Sequence, residues 1–161
     1  MTQLSLHSPV GDLTISEDDG AIVAIDWGWA PVQSATPLLT EAKTQLDAYF
    51  DGALTAFDLP LTPAGTGFQR AVYDVMTSIA YGKTMTYAEV AQKVGSVARA
   101  VGSVCGSNPI PIVIPCHRVV AAHGALGGYS GDGGLDTKRA LLRLEGADGH
   151  GRQLDLDLSM S

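Results

Sequence analysis

Apolar and polar residues alternate at the start of the chain, with Leu4 and Leu6, then Leu13 and Ile15, each flanked by polar neighbours. A denser run, Ala21-Ile22-Val23-Ala24-Ile25-Asp26-Trp27, follows. Turn residues separate the three stretches, Pro9-Val10-Gly11-Asp12 and Glu17-Asp18-Asp19-Gly20. Residues 3–28 therefore predict a small antiparallel meander. The period then lengthens. Leu38, Leu39, Ala42, Leu46 and Tyr49 recur at helical spacing behind Thr36-Pro37, an N-cap followed by proline at the first helical position, and Asp51-Gly52 ends the pattern. Trp27 and Trp29, at the end of the last strand, are expected to pack rather than to stack on a ligand.

Between Asp58 and Gly65 two prolines and a glycine interrupt both periods, which places a domain boundary near residue 62. Two capping boxes follow, Thr66-Gly67-Phe68-Gln69 and Thr86-Tyr87-Ala88-Glu89. The first opens a helix with the stripe Phe68, Val72, Val75, Met76 and Ile79, ending before Tyr81-Gly82. The second opens a short helix to Gly95, and another helix runs from about Val97 to Gly106. Two short helices around a tight Gly-containing turn are the pattern of a helix-turn-helix, and equally of a generic helical hairpin. The second helix presents only small residues, Ala98, Ala100, Gly102 and Ser103, with Arg99 as its one charge. Such a face suits insertion into a narrow minor groove better than readout of base edges, for which several polar side chains would be needed.

From Asn108 to Val120 the periodicity gives way to Asn-Pro-Ile-Pro-Ile-Val-Ile-Pro-Cys-His-Arg-Val-Val. Three prolines without N–H groups make this neither a helix nor an ordinary central strand, but a stiff mount for Cys116. A cysteine in an apolar run is commonly a small buried hydrophobe. The imidazole and guanidinium of His117 and Arg118 directly after it point instead to a thiol whose pKa is lowered by nearby cations. A glycine-rich loop spans Ala121 to Gly134, readable as a surface loop or as a pocket wall, and a helix with Leu135, Leu141, Leu142 and Leu144 runs to Glu145.

Composition narrows the classes. The 161 residues are 45% apolar, which fits one substantial core or a small domain beside a larger one. No apolar run approaches the roughly 18 residues of a membrane span, and the start lacks a signal-peptide pattern, so no membrane role and a cytoplasmic location are expected. Cys105 and Cys116 lack the spacing of a disulfide framework or a zinc set with His117 and His123. The net charge of −7 argues against a nucleic-acid partner until its distribution is read. Residues 1–60 hold one Lys against nine acids, whereas residues 61–147 hold eight basic against five acidic residues, net +3.

The run Pro115-Cys116-His117-Arg118-Val119-Val120, with Asn108-Pro109 upstream, closely resembles the acceptor-site motif of the O6-alkylguanine-DNA alkyltransferases, also called methylated-DNA–protein-cysteine methyltransferases. The resemblance covers about residues 66–146 and, more loosely, the N-terminal part. It implies an α+β protein: a small N-terminal antiparallel sheet with a helix over 1–62, then a mainly helical domain with a helix-turn-helix over 63–147; from its polar, Gly-containing composition the end, 148–161, is expected to be a flexible tail. It implies irreversible transfer of an alkyl group from O6 of guanine, or O4 of thymine, to Cys116, once per protein and without a cofactor. The residue matching His117 takes the thiol proton through a water and is oriented by the residue matching Glu145. Tyr87 matches the tyrosine that helps rotate the nucleotide and protonates the guanine. Ser130 matches the residue that bonds the O6 region, with Tyr129 and Pro111 flanking the flipped base. Asn108 matches the asparagine tying the turn before the cysteine to the second helix. Arg99 matches the arginine that fills the gap in the duplex, while Ala98, Ala100 and Val119 complete the expected DNA and base contacts. The implied partner is duplex DNA carrying the lesion, bound through the minor groove by a monomer.

Two features depart from the family pattern. Many relatives carry a basic residue before Asn-Pro where this chain has Gly106-Ser107, and Asp132-Gly133 looks inserted after the pocket loop. Glu145 on its own residue pattern could equally be a solvated carboxylate at a helix end. The rival functions are a thiol hydrolase, which would turn over, and a helix-turn-helix lesion-binding module, which would need no thiol.

Overall fold

The computed structural model describes residues 1–147. The tail expected over 148–161 lies outside the described residues. The chain divides into two units, Met1–Ala64 with Pro109–Val113, and Gly65–Asn108 with the described residues from Ile114 to Ala147.

In the first unit β1 (Thr2–Leu6), β2 (Leu13–Asp18) and β3 (Ala21–Trp27) form the antiparallel meander in the order β1-β2-β3. Leu4 pairs with Ile15, Leu6 with Leu13, and Ile15 with Ile25, so the alternating apolar residues share one face. A bulge at Ser16/Glu17 shifts the register before the acidic turn. Helix α1 (Pro37–Phe50) packs on β1 and β2 through Leu39, Ala42, Leu46 and Tyr49, all buried. The Thr36 hydroxyl accepts from the Leu39 N–H at 3.1 Å, with Pro37 at the first helical position. Trp27 is half-buried and donates from Nε1 to the Val10 carbonyl at 2.9 Å. Trp29 is 50% exposed and stacked on the His7 ring, centroids 4.7 Å apart, so its packing partner is a surface side chain and not the core.

The proline-rich run departs from the simple mount expected. Its first part, Pro109–Val113, belongs to the first unit, where the Ile25 N–H donates to the Pro109 carbonyl at 2.9 Å. Ile110 and Ile112 are fully buried. Ile112 sits at φ 76°, a left-handed backbone that a β-branched residue rarely adopts, and the change of direction it makes is held by this burial.

In the second unit α2 (Gly67–Thr77) opens with its capping box complete, Gln69 N–H to Thr66 Oγ1 at 3.1 Å and Thr66 N–H to Gln69 Oε1 at 2.8 Å. The buried face is Val72, Tyr73 and Met76. Ile79 is buried beyond the helix end, Val75 is half-buried, and Phe68, in the first turn, is 38% exposed. Strand β4 (Met85–Thr86) pairs in parallel with β5 (Val119–Val120), linking the second capping box to the residues just past Cys116. Helix α3 (Tyr87–Val94) starts on that box and stops at Gly95, whose φ of 68° needs a residue without Cβ strain. A three-residue turn leads to α4 (Ala98–Gly106), which buries Val101, Val104 and Cys105 against α3 and α2 and leaves Ala98, Arg99 and Ser103 exposed. Helix α5 (Leu135–Leu144) buries Thr137, Lys138, Leu141 and Leu142, while Leu135 is 43% exposed at its start. No helix among the described residues is long and apolar enough to cross a membrane.

Candidate active site

Pro115 ends the extended run, and Cys116–Arg118 wind into one 3-10 turn, closed by the Arg118 N–H on the Pro115 carbonyl at 2.9 Å. The stiff mount therefore stops short of the cysteine, which sits on a helical turn. At three residues per turn, consecutive side chains leave the backbone about 120° apart. Cys116 is directed to a cavity while His117 and Arg118 are buried elsewhere, at 0% and 6% exposure.

What buries them is Glu145, the C-cap of α5, itself 5% exposed. Its Oε2 lies 2.7 Å from His117 Nε2, and Arg118 donates to both oxygens, from Nε to Oε1 at 2.8 Å and from a terminal nitrogen to Oε2 at 3.0 Å. The other terminal nitrogen of Arg118 donates to the Ile79 carbonyl at 2.6 Å, and the guanidinium lies 5.9 Å from the Tyr81 ring centroid. An ionised carboxylate only accepts, so Nε2 carries the imidazole proton and Nδ1 is left as the basic atom. Nδ1 is buried and has no hydrogen-bond partner within the described protein. Burial holds His117 below its ordinary pKa against the raising effect of Glu145, so the resting imidazole is neutral.

The thiol differs from the sequence expectation. Burial pushes the Cys116 pKa up, countered by a hydrogen bond from Asn108 and by the charge of Lys138. Arg118 is engaged by Glu145, so the nearby cation acting on the thiol is a lysine that the sequence did not single out. A lysine within an amphipathic helix reads as its solvated face, yet Lys138 is 0% exposed. Its ammonium donates to the carbonyls of Val119 at 2.7 Å and Gly128 at 3.0 Å and reaches the Tyr87 hydroxyl at 3.5 Å.

The cavity before Cys116 is about 680 Å³ in volume. Tyr87 forms part of its wall, α4 another through Ala98, Arg99 and Cys105, and the glycine-rich loop a third through Tyr129 and Ser130. Burial raises the pKa of both Tyr87 and Tyr129. Asn108 is behind the wall, its amide donating to the Ile114 carbonyl at 2.8 Å and to the thiol. Of the other residues singled out, Val119 is fully buried in β5, Ala100 is half-buried on α4, and Pro111 is buried in the segment held by the first unit; none of the three lines the cavity. Cys105, on α4 and without an adjacent histidine, lines this cavity too. Burial pushes its pKa up to about 12, and its sulfur lies 3.7 Å from that of Met76. Among the described residues, no three His, Cys, Asp or Glu gather to hold a metal ion.

Two family profiles match, described as 6-O-methylguanine DNA methyltransferase, ribonuclease-like domain over residues 2–63, and DNA binding domain over residues 67–147. The chain is 39% identical to the methylated-DNA–protein-cysteine methyltransferase of Methanosarcina acetivorans, over 88% of this chain and 96% of that one. It is 41% identical to that of Mycobacterium leprae, over 88% and 90%. The Mycobacterium tuberculosis OGT solved in complex with DNA superposes with a TM-score of 0.82 at 39% identity, covering 92% of this chain and 94% of that one.

Proposed function

Since the chain belongs to the 6-O-methylguanine DNA methyltransferase family, we propose that it repairs duplex DNA by moving an alkyl group from O6 of guanine onto Cys116, once per molecule. The observation that carries this reading is a buried thiol facing a cavity, on the same 3-10 turn as an imidazole held by a carboxylate. The His117 Nδ1 takes the thiol proton through a bridging water. The sulfur attacks the alkyl carbon, the C–S bond forms as the bond from carbon to O6 breaks, and Tyr87 gives a proton to the departing guanine. Glu145 holds the resulting imidazolium. The thioether has no hydrolytic exit, so the protein ends alkylated.

The target atom lies inside a stacked duplex, so the nucleotide is turned out into the cavity at a cost of a few kcal/mol. Helix α4 enters the minor groove with its small exposed residues, and Arg99, exposed at the cavity edge, occupies the gap. Ser130 and Tyr129 contact the extruded base from the loop.

The test is stoichiometric. The protein is mixed with excess duplex carrying O6-methylguanine, and both partners are followed by mass. One methyl per protein on Cys116, an equal amount of restored guanine, and neither event in Cys116→Ala are expected. Repeated turnover, or methyl on Cys105, would overturn the assignment. Cys105 is a stringent control because it shares the cavity but has no imidazole on its own helix to take its proton.

A further inference from the structure

The far end of the pocket loop is held by a side chain that the reaction as described does not use. Five of the eight residues from Gly127 to Gly134 are glycine, so the backbone that carries Tyr129 and Ser130 into the cavity wall has little stiffness of its own. At one end the Gly128 carbonyl is held by the Lys138 ammonium at 3.0 Å. At the other, Thr137 of α5, 6% exposed, donates from Oγ1 to the Asp132 carbonyl. A threonine hydroxyl on a helix ordinarily meets water or the carbonyl four residues back. This one reaches five residues back, past the helix start, onto the first of the two residues that look inserted against the family pattern.

The second of those two residues fits the same seat. Gly133 lies at φ 83°, and a Cβ placed there would collide with Thr137 Oγ1, so only glycine lets the hydroxyl approach. The Gly134 N–H donates to the Gly131 carbonyl at 3.0 Å and the Asp136 N–H to the Gly133 carbonyl at 3.1 Å, which closes the turn beside the hydroxyl. Between the two held carbonyls stand Tyr129, Ser130 and Gly131, the first two of which line the cavity. We propose that Thr137 is a positioning residue for the substrate: its hydroxyl latches the lengthened loop to α5 and so fixes where Tyr129 and Ser130 meet the extruded base. This rests on the alkyl-transfer reading. Thr137 acts through the loop and does not itself line the cavity.

A helix that needed only to fill this space could do so with valine, which has the shape of threonine and no buried hydroxyl to satisfy. The hydroxyl serves the loop, so its loss should be felt in the loop before it is felt in α5. The proton chemistry is separate, since Glu145 meets His117 at the opposite end of α5. Releasing the latch should therefore weaken the grip on the base without lowering the reactivity of Cys116.

Transfer from free O6-methylguanine base to Cys116 is measured against base concentration in the unaltered protein, Thr137→Val, Thr137→Ser and Gly133→Ala, with amide hydrogen exchange followed over residues 127–144. Thr137→Val should raise the half-saturating concentration about fivefold, the worth of one ordinary hydrogen bond, and leave the limiting rate within about twofold. Its exchange should quicken over residues 127–134 alone. Thr137→Ser keeps the hydroxyl and should stay close to the unaltered protein on both readouts. Gly133→Ala drives a Cβ into Oγ1 and should behave as Thr137→Val does. An unchanged half-saturating concentration in folded Thr137→Val, a loss that Thr137→Ser shares, or exchange that rises along α5 as much as in the loop would overturn the proposal. If Thr137→Val does not fold, Gly133→Ala decides by the same two readouts. No methyl on Cys116 of the unaltered protein would overturn the alkyl-transfer reading itself; normal transfer there with the failures above overturns only the role of Thr137.

Discussion

Replacing Glu145 by glutamine separates the structural role of its carboxylate from the chemical one. The side chain is wholly buried and accepts from His117 Nε2 and twice from Arg118. Glutamine preserves the shape but removes the charge, leaving the Arg118 guanidinium buried without a counter-ion at 6% exposure. Breaking one partner out of a buried pair costs about 3–5 kcal/mol, several times the worth of an exposed pair. For a chain of this size each kcal/mol moves Tm by roughly 2–4 °C, so Glu145→Gln should melt roughly 6–20 °C lower. The same change withdraws the charge that supports the His117 imidazolium, so Cys116 should also react more slowly with a small electrophile, with Cys105 unaffected. Adding Arg118→Met should recover much of the lost stability, because the orphaned charge is gone, but none of the lost reactivity. Urea unfolding and thiol alkylation of the two variants check both halves. A loss below about 1 kcal/mol in Glu145→Gln would mean that Arg118 finds water and the pair behaves as an exposed one. Reactivity that returned together with stability would mean that Glu145 only holds the fold.

Arg99→Ala should impair repair of a duplex more than reaction with the free modified base, since only the duplex has a gap to fill; equal losses on both substrates, measured by methyl transfer, would refute the role of Arg99. Gly127→Ala should slow transfer while leaving Cys116 open to small electrophiles, because the new Cβ would lie 2.7 Å from the Tyr87 hydroxyl at a φ of 77°. The backbone conformation alone should cost about 1–2 kcal/mol; an unaltered transfer rate would show that the loop yields without moving Tyr87.

The elements that the chain announces are those with local chemistry. Thr66 with Gln69, Thr86 with Glu89, Thr36 with Pro37 and the left-handed Gly95 all act within one helical turn, and each helix begins or ends where they stand. The acceptor motif was legible because its residues are contiguous, and Glu145 because the family pattern pointed to a helix end that lies on His117. The parallel pair β4–β5 was not legible, as strands of two residues carry no period and their partners are far apart in sequence. The assignment of Pro109–Val113 to the first unit rests on long-range hydrogen bonds that no local signal announces. Charged side chains misled most. Arg118 reads as a cation for the adjacent thiol, but a carboxylate 27 residues on provides two acceptors in the geometry a guanidinium prefers. Lys138 reads as surface because lysine is rarely buried, and only the fold brings two carbonyls and a hydroxyl to its amine.

These corrections change how the thiol is activated. With Arg118 neutralised by Glu145 and His117 held neutral by burial, the turn that carries Cys116 brings no free positive charge to the sulfur, and burial keeps its proton on. A thiolate standing in the cavity would react with any small electrophile, and a protein with one acceptor and no means of restoring it would be lost to such reactions. A neutral thiol beside a neutral imidazole avoids that, provided the proton can move when a substrate is in place. The parts for that movement are distinct. Nδ1 is the free basic atom, Glu145 favours the cation that forms on the ring, and Asn108 and Lys138 favour the anion that forms on sulfur. Cys105 shares the cavity and the influence of Lys138 but has no imidazole on its own helix, so the difference between the two thiols lies in proton acceptance more than in access.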